Sequence, residues 1–405
     1  MRWIKFAGPG ASGLVVVATV AVAMGPVAQS GELKRIQGDN EKAMAPLRQR
    51  QERAVGDRER DAAQAAVWEE VRSSARRALA WAEAHPDAPD SLDAIIWTVH
   101  GLANGYYPEL AAERARAYDL LTERGLASEK VAPVCYYGGG DSIACPEARR
   151  FLETALSQSP SRLVRGAACL GLARRNHTLA RIAQRARDPL TPRSTLDRWA
   201  KYPGDFLKAC ETSDVEALDR EAELYFERLI AEFADVKMPH PYNPMPFGEL
   251  ARGELYAVRN LAVGKVAPEI VGEGVDGKPL KLSDHRGEVV AVVFWATWCG
   301  PCMGMVPHER ELTKRLAGKP FTILGVNGDD DRTKAKEAMA REGMTWPSWW
   351  NGGQDGGIVA AWGVRAWPSV YVLDARGVIR YEGVRGEMLD KAVDLLVAEM
   401  EPASK

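Results

Sequence analysis

At Gly264 the spacing of apolar residues changes, and that change limits what the chain can fold into. From about Ala63 to Leu261 apolar side chains recur at helical intervals, as at Phe151, Leu152, Ala155 and Leu156, with charges on the opposite face. Stretches such as "AAVWEEVRSSARRALAWAEAHP", "PEARRFLETALSQSP" and "DVEALDREAELYFERLIAEFADV" read as amphipathic helices separated by Pro and Gly breaks. Beyond Gly264, short β-branched runs alternate with helical ones. "EVVAVVFWAT" (Glu288 to Thr297) reads as a buried strand, "PCMGMVPHERELTKRLAG" as a helix and "PFTILGVNGDD" as a second strand. A helix, "RTKAKEAMAREG", a hairpin, "PSVYVLDARGVIRYEGV", and a closing helix, "GEMLDKAVDLLVAEM", complete the pattern. The expectation is a multidomain chain: an all-α, repeat-like domain over 63–262, then an α/β domain over 263–405 with a mixed central sheet.

The N-terminal end differs from both. Arg2 and Lys5 precede an uncharged run from Ala7 to Ser30 whose apolar centre, Gly13 to Met24, is short for a span of roughly 20 residues. Residues 1–28 therefore read as an export signal, cleaved after small residues such as Ala21-Val22-Ala23 or kept as an anchor. This places the chain in the periplasm or cell envelope. Residues 29–62 are dense in charge and poor in large apolar side chains, which suggests a solvated, partly helical linker. The 53 basic and 55 acidic residues are mixed along the chain, so no nucleic-acid partner is implied. Within the helical region Glu147-Ala148-x-x-Phe151-Leu152-Glu153 matches Glu221-Ala222-x-x-Tyr225-Phe226-Glu227, a weak internal repeat resembling tetratricopeptide arrays. An irregular bundle with a chance match reads equally well. Either would suit docking of a protein partner. "KMPHPYNPMPFGE" is a non-helical connection, and its His240 is read as a loop residue. The histidines show no ligand spacing, so no metal site is expected.

Of the six cysteines, Cys135 and Cys145 flank the Gly-rich "YYGGGDSIA" and are expected to form a structural bridge, while Cys169 and Cys210 lie in helical patterns as buried thiols. The remaining two stand in Cys299-Gly300-Pro301-Cys302, where the first strand hands over to a helix. Disulfide exchange needs one sulfur as a thiolate near neutral pH and a second close enough to displace the partner. Cys299 at a helix start feels the positive end of the dipole and free N–H groups, which lower its pKa from ~8.5. Cys302, one turn in, is the shielded resolving thiol. Pro301 suits the first turn, where no N–H is missed.

"VGKVAPEIVGEGVDGKPLKLSDHRGEVVAVVFWATWCGPC" with "VRAWPSVYVLDARGVIRYEGVRG" resembles the thioredoxin superfamily, and within it the exported TlpA/ResA-like thiol-disulfide oxidoreductases. The likeness spans about a third of the chain. It implies a thioredoxin-like fold over 263–405, Cys299 and Cys302 as catalytic residues, and Trp298, Gly300, Pro301, Trp367 and Pro368 lining the substrate groove. It also implies a cis peptide at Pro368, a kink at Pro307, and packing of Trp295 and Trp298 beside the dithiol. Three positions depart from the family. Val293 stands where a buried Asp is common, Met305 where ResA-like proteins carry a Glu, and Trp367 where smaller residues precede the proline. His308 and Glu309 follow beyond Pro307, and no role is assigned to them from sequence. Met303 and Met305 read as helix packing and an adaptable apolar rim.

The function expected is thiol-disulfide oxidoreductase, with protein thiols or disulfides as substrates. The redox-active pair itself is the only cofactor, and an envelope or membrane reductant renews it. The Gly-Pro dipeptide, found in reducing thioredoxins with potentials near ~-270 mV, points toward reduction. A second reading is an envelope scaffold whose helical domain docks a partner and whose thioredoxin-like domain turns over little. Zinc lacks a second ligand pair, a purely structural bridge gains little from so short a loop, and a peroxidase of the peroxiredoxin kind would carry a Pro-x-x-x-Thr-x-x-Cys pattern, which "WATWCGPC" lacks.

Overall fold

A computed structural model of the chain describes residues 31–101, 108–141, 143–238, 245–364 and 366–400. The export segment at 1–28 and His240 lie outside the described residues, among which no helix is long and apolar enough to cross a membrane. Two compact units divide at Arg252/Gly253, about ten residues before the expected boundary.

The first unit is helical among its described residues: α1 (Gly31–Arg53), α2 (Asp57–Ala84), α3 (Ser91–Ile96), α4 (Ala111–Arg124), α5 (Ala132–Asp141), α6 (Pro146–Gln158), α7 (Arg162–Arg187), α8 (Arg193–Ala200), α9 (Phe206–Thr212) and α10 (Val215–Phe233), with α11 (Phe247–Asn260) crossing the division. Local chemistry sets several starts. Ser161 accepts the Val164 N–H at the head of α7, Asp214 accepts that of Ala217 at the head of α10, and Pro146 opens α6. Helix α7 is the centre, packed against α5, α6, α9 and α10. The two repeat-like stretches occupy α6 and α10, burying Ala148, Phe151 and Leu152 in one and Ala222 and Phe226 in the other.

Two expectations are corrected in this unit. The charged linker is mostly helix α1, because its few apolar residues, Leu33, Ile36 and Met44, are buried and the helix packs on α2. Cys135 and Cys145 are free thiols. The glycine-rich run continues α5 instead of reversing the chain, leaving Cys135 inside that helix and Cys145 at the cap of α6. The Cys135 carbonyl stands so close to Gly171 of α7 that a Cβ there would overlap it.

The second unit carries β1 (Val271–Glu273), β2 (Pro279–Lys281), β3 (Val289–Trp295), α12 (Gly300–Arg315), β4 (Phe321–Asn327), α13 (Arg332–Glu342), β5 (Ser348–Trp350), α14 (Gly357–Ala361), β6 (Ser369–Leu373), β7 (Ile379–Glu382) and α15 (Glu387–Met400). β1 and β2 form a small hairpin, and the main sheet has the order β5-β4-β3-β6-β7. β3 runs parallel to β4 and antiparallel to β6, the mixed sheet expected. β3 is buried along its whole length, and its period of two splits the core. Val289, Ala291, Val293 and Trp295 face one apolar cluster, while Val290, Val292 and Phe294 face another. A continuous apolar run is what a strand covered on both sides requires.

Candidate active site

Three chain segments meet at the C-terminal end of β3. The first is the turn Ala296–Cys299 that leads into α12. Cys299 is the N-cap of that helix, with β-region backbone, and its sulfur accepts the Cys302 N–H at 3.2 Å. A sulfur thus takes the place that a Ser or Asp oxygen fills at ordinary helix starts. The same N–H and the helix dipole favour a thiolate at Cys299. Cys299 and Cys302 are joined by a disulfide, and both are buried, with relative exposures of 5% and 3%. Gly300 and Pro301 are exposed on the first turn.

The second segment is Trp367-Pro368, whose peptide bond is cis as the resemblance implied. Phe294 pairs with Ser369 across the β3–β6 ladder, and this register brings Pro368 to the end of the sheet where β3 delivers the cysteines. Trp298, half exposed, meets Trp367 edge to face with ring centroids 5.5 Å apart. Trp295 is buried in the cluster that holds both cysteines, its indole N–H donating to Ser348 Oγ at 2.9 Å. The expected site residues are therefore gathered at one end of the sheet.

The third segment, at the end of β4, was missed in sequence. Gly328 has no side chain, and the Trp367 ring fills that space so tightly that a Cβ would overlap it. Gly328→Ala is expected to destabilise the unit by about 1–3 kcal/mol through overpacking and to disturb the Trp298–Trp367 contact. Urea unfolding and near-ultraviolet circular dichroism measure the two effects. Next to Gly328, Asp329 is 3% exposed, and its carboxylate receives Thr297 N–H at 3.1 Å, Thr297 Oγ1–H at 2.7 Å and Asn327 Nδ2–H at 2.7 Å.

Along α12 the buried positions are Cys302, Val306, Glu309 and Leu312. The helix runs through Pro307 without losing phase, so Glu309 lies on the inward face seven residues beyond Cys302. It is 3% exposed, its Oε1 has no hydrogen-bond partner, and burial pushes its carboxyl from the ordinary 4.5 up to about 7. The spacing 302, 306, 309 was readable in sequence, but a kink was expected at Pro307 and no role was assigned beyond it. Its neighbour His308 instead has Nε2 3.2 Å from Asp390 Oδ1 of α15. Val293 is core, and Met303 and Met305 are partly buried against the cluster containing the dithiol.

The other thiols are shielded. Burial raises Cys145 and Cys210 to about 11 and Cys169 to about 12, and it pushes Cys135 up further.

A mixed sheet, a cysteine pair at a strand-to-helix turn and a cis-proline facing the same sheet end define a thioredoxin-fold dithiol protein. Residues 262–396 match the Redoxin family. The thiol-disulfide oxidoreductase ResA of Geobacillus thermodenitrificans is 30% identical over 120 residues, covering 30% of this chain and 68% of that protein. The thioredoxin-like protein YneN of Bacillus subtilis is 32% identical over 120 residues, covering 29% of this chain and 68% of its own length. A solved thioredoxin domain of a thiol-disulfide oxidoreductase from Bacteroides vulgatus is 29% identical, spans 34% of this chain and 99% of that domain, and has a TM-score of 0.32. The chain belongs to the ResA/TlpA-like thiol-disulfide oxidoreductases of the thioredoxin superfamily, and it is an oxidoreductase.

Proposed function

We propose that the protein reduces disulfides of other proteins in the cell envelope through Cys299 and Cys302, with no added cofactor. The observation that carries this reading is Cys299 as N-cap of α12, its sulfur on the Cys302 N–H. In the reduced protein the Cys299 thiolate attacks one sulfur of a partner disulfide. That S–S bond breaks, the other partner sulfur leaves as thiolate, and a mixed disulfide forms. Cys302 then loses its proton and attacks Cys299 Sγ, and the partner's second sulfur departs and is protonated. Two electrons have moved to the partner, and the protein is left in the disulfide state described above. A dithiol of the envelope or membrane returns it to the reduced form.

Glu309 is the group proposed to take the Cys302 proton. Seven residues of helix place its Cα about 10 Å along the axis from that of Cys302. Side chains lean toward the helix N-terminus, so the Glu309 carboxyl reaches back toward Cys302 and water relays the proton across the remaining gap. The exposed edge of Trp298, the Trp367 ring and the backbone at Pro368 offer the surface on which an extended partner segment lies.

Insulin with dithiothreitol tests the activity. The protein is expected to bring forward the turbidity of precipitating insulin chains, and Cys299→Ser to show only the rate of dithiothreitol alone. Equal rates for the two proteins would refute the reading.

A further inference from the structure

Asp329 is a buried charge laid against the turn that carries the attacking cysteine. Its two oxygens accept four hydrogen bonds, all from N–H or O–H donors: Thr297 N at 3.2 and 3.1 Å, Thr297 Oγ1 at 2.7 Å and Asn327 Nδ2 at 2.7 Å. Acceptance on every contact is the pattern of an ionised carboxylate. The loop that holds it is itself fixed. Asp329 N–H donates to Asn327 Oδ1 at 3.1 Å, Gly328 N–H donates to the Trp295 carbonyl at 2.9 Å, and Trp350 Nε1–H donates to the Asp329 carbonyl at 3.0 Å.

The neighbouring charges are engaged elsewhere. Asp330 is exposed, Asp331 caps α13 by accepting Thr333 N–H at 2.8 Å, and Arg332 pairs with Glu273 at 2.9 Å. Among the described residues no cation is paired with Asp329, and the partners of its carboxylate there are hydrogen-bond donors.

Thr297 precedes Cys299 by two residues, so no more than roughly 7 Å of chain separates the clamped peptide from the cysteine. The carboxylate stands a further 3.1 Å from the Thr297 nitrogen, so a negative charge within roughly 10 Å of the cysteine backbone works against a second negative charge on Cys299, and water is excluded from Asp329. It therefore opposes the helix dipole and the Cys302 N–H, which favour the thiolate. A less stable thiolate means a less stable reduced form, and so a more reducing couple.

We propose that Asp329 is a positioning residue with an electrostatic role: it clamps Thr297 and holds the Cys299/Cys302 couple toward the reducing side. This rests on the dithiol reading above. In the exchange by which it is measured, the protein disulfide takes two electrons from two glutathione thiols. One glutathione disulfide forms, one of the two thiol protons goes to Cys302 and the other to solvent, leaving Cys299 as thiolate and Cys302 as thiol.

Two variants of the full-length protein test it, read by the pH dependence of Cys299 alkylation with iodoacetamide and by the equilibrium constant with glutathione. Asp329→Asn keeps an acceptor for Thr297 and removes the charge. The apparent pKa of Cys299 is expected to fall by about one unit, and the couple to become more oxidising by up to about tenfold at pH 8, which is about 30 mV. Thr297→Val removes one of the donors that quiet the charge, so the Cys299 pKa is expected to rise and the couple to become more reducing. A purely mechanical clamp would loosen in both variants and shift them the same way. Shifts of the same sign, or no shift in either, overturn the proposal, and if Asp329→Asn does not fold, the direction of the Thr297→Val shift decides alone. A wild-type protein that exchanges no electrons with glutathione would overturn the dithiol reading instead, while the alkylation profiles still decide the role of Asp329.

Discussion

Cys302→Ser, once reduced, is expected to attack a partner disulfide and then remain attached through Cys299. The intramolecular thiol is the reason release is fast in the intact protein. A well-oriented group on the same molecule reaches effective molarities of about 10⁵ M or more, whereas an external thiol in an assay is millimolar. Turnover should therefore fall by at least about a thousandfold, with one partner bound per protein by non-reducing electrophoresis and mass spectrometry. The mapped bond should lie at Cys299. The remaining thiols do not compete, because burial holds Cys145 and Cys210 near 11 and Cys169 near 12. At neutral pH that leaves about one thiolate in ten thousand or fewer. Cys299→Ser should give no adduct at Cys302, which lies inside the helix with 3% exposure. An adduct through Cys302, or wild-type turnover by Cys302→Ser, would reverse the assignment of attacking and resolving thiols.

The parts of this site that were legible in sequence are those set by local pattern. The alternation along Val289–Trp295 is strong because both faces of β3 must be covered, and the cysteine pair falls where strand gives way to helix. The Asp329 clamp was invisible for the opposite reason. Thr297 and Asp329 are 32 residues apart, and only the parallel pairing of β3 with β4 sets them side by side. Gly328 gave no signal either, since its importance is the space it leaves for Trp367. Misreadings followed where composition and context disagreed. Charged residues suggested a tether, yet Leu33, Ile36 and Met44 suffice to seat α1 on α2. Glycines suggested a loop between Cys135 and Cys145, yet the contact with α7 continues α5 through them. Glu309 was set aside because it lies beyond Pro307, where a kink was expected, whereas α12 keeps it on the buried face with Cys302.

Glu309 should make the protein less stable as pH rises, and removing its charge should reverse that while slowing the reaction. Its carboxyl titrates at about 7 when folded, against 4.5 ordinarily, because burial penalises the ionised form. Below about pH 4.5 it is protonated in both states, so its contribution is fully present. Between about 4.5 and 7 the unfolded chain loses the proton and the folded one keeps it, so folding stability falls; above 7 both are ionised and the loss is complete. The shift corresponds to about 3 kcal/mol at 1.36 kcal/mol per unit. Glu309→Gln cannot ionise, so urea unfolding at pH 5 and pH 8 should show that pH-dependent loss in wild type and not in the variant. If Glu309 also takes the Cys302 proton, the variant should release partners about 10–100-fold more slowly, and the rise in rate near pH 7 should disappear. A group kept only for packing would not slow the chemistry when replaced by an amide of nearly the same shape. Equal pH dependence of stability in the two proteins would refute the buried charge, and unchanged release kinetics would refute the proton transfer. Higher stability at pH 8 together with slower release would mean that the buried carboxyl on the inward face of α12, its Oε1 unpartnered, is retained for exchange at Cys302 and not for the fold.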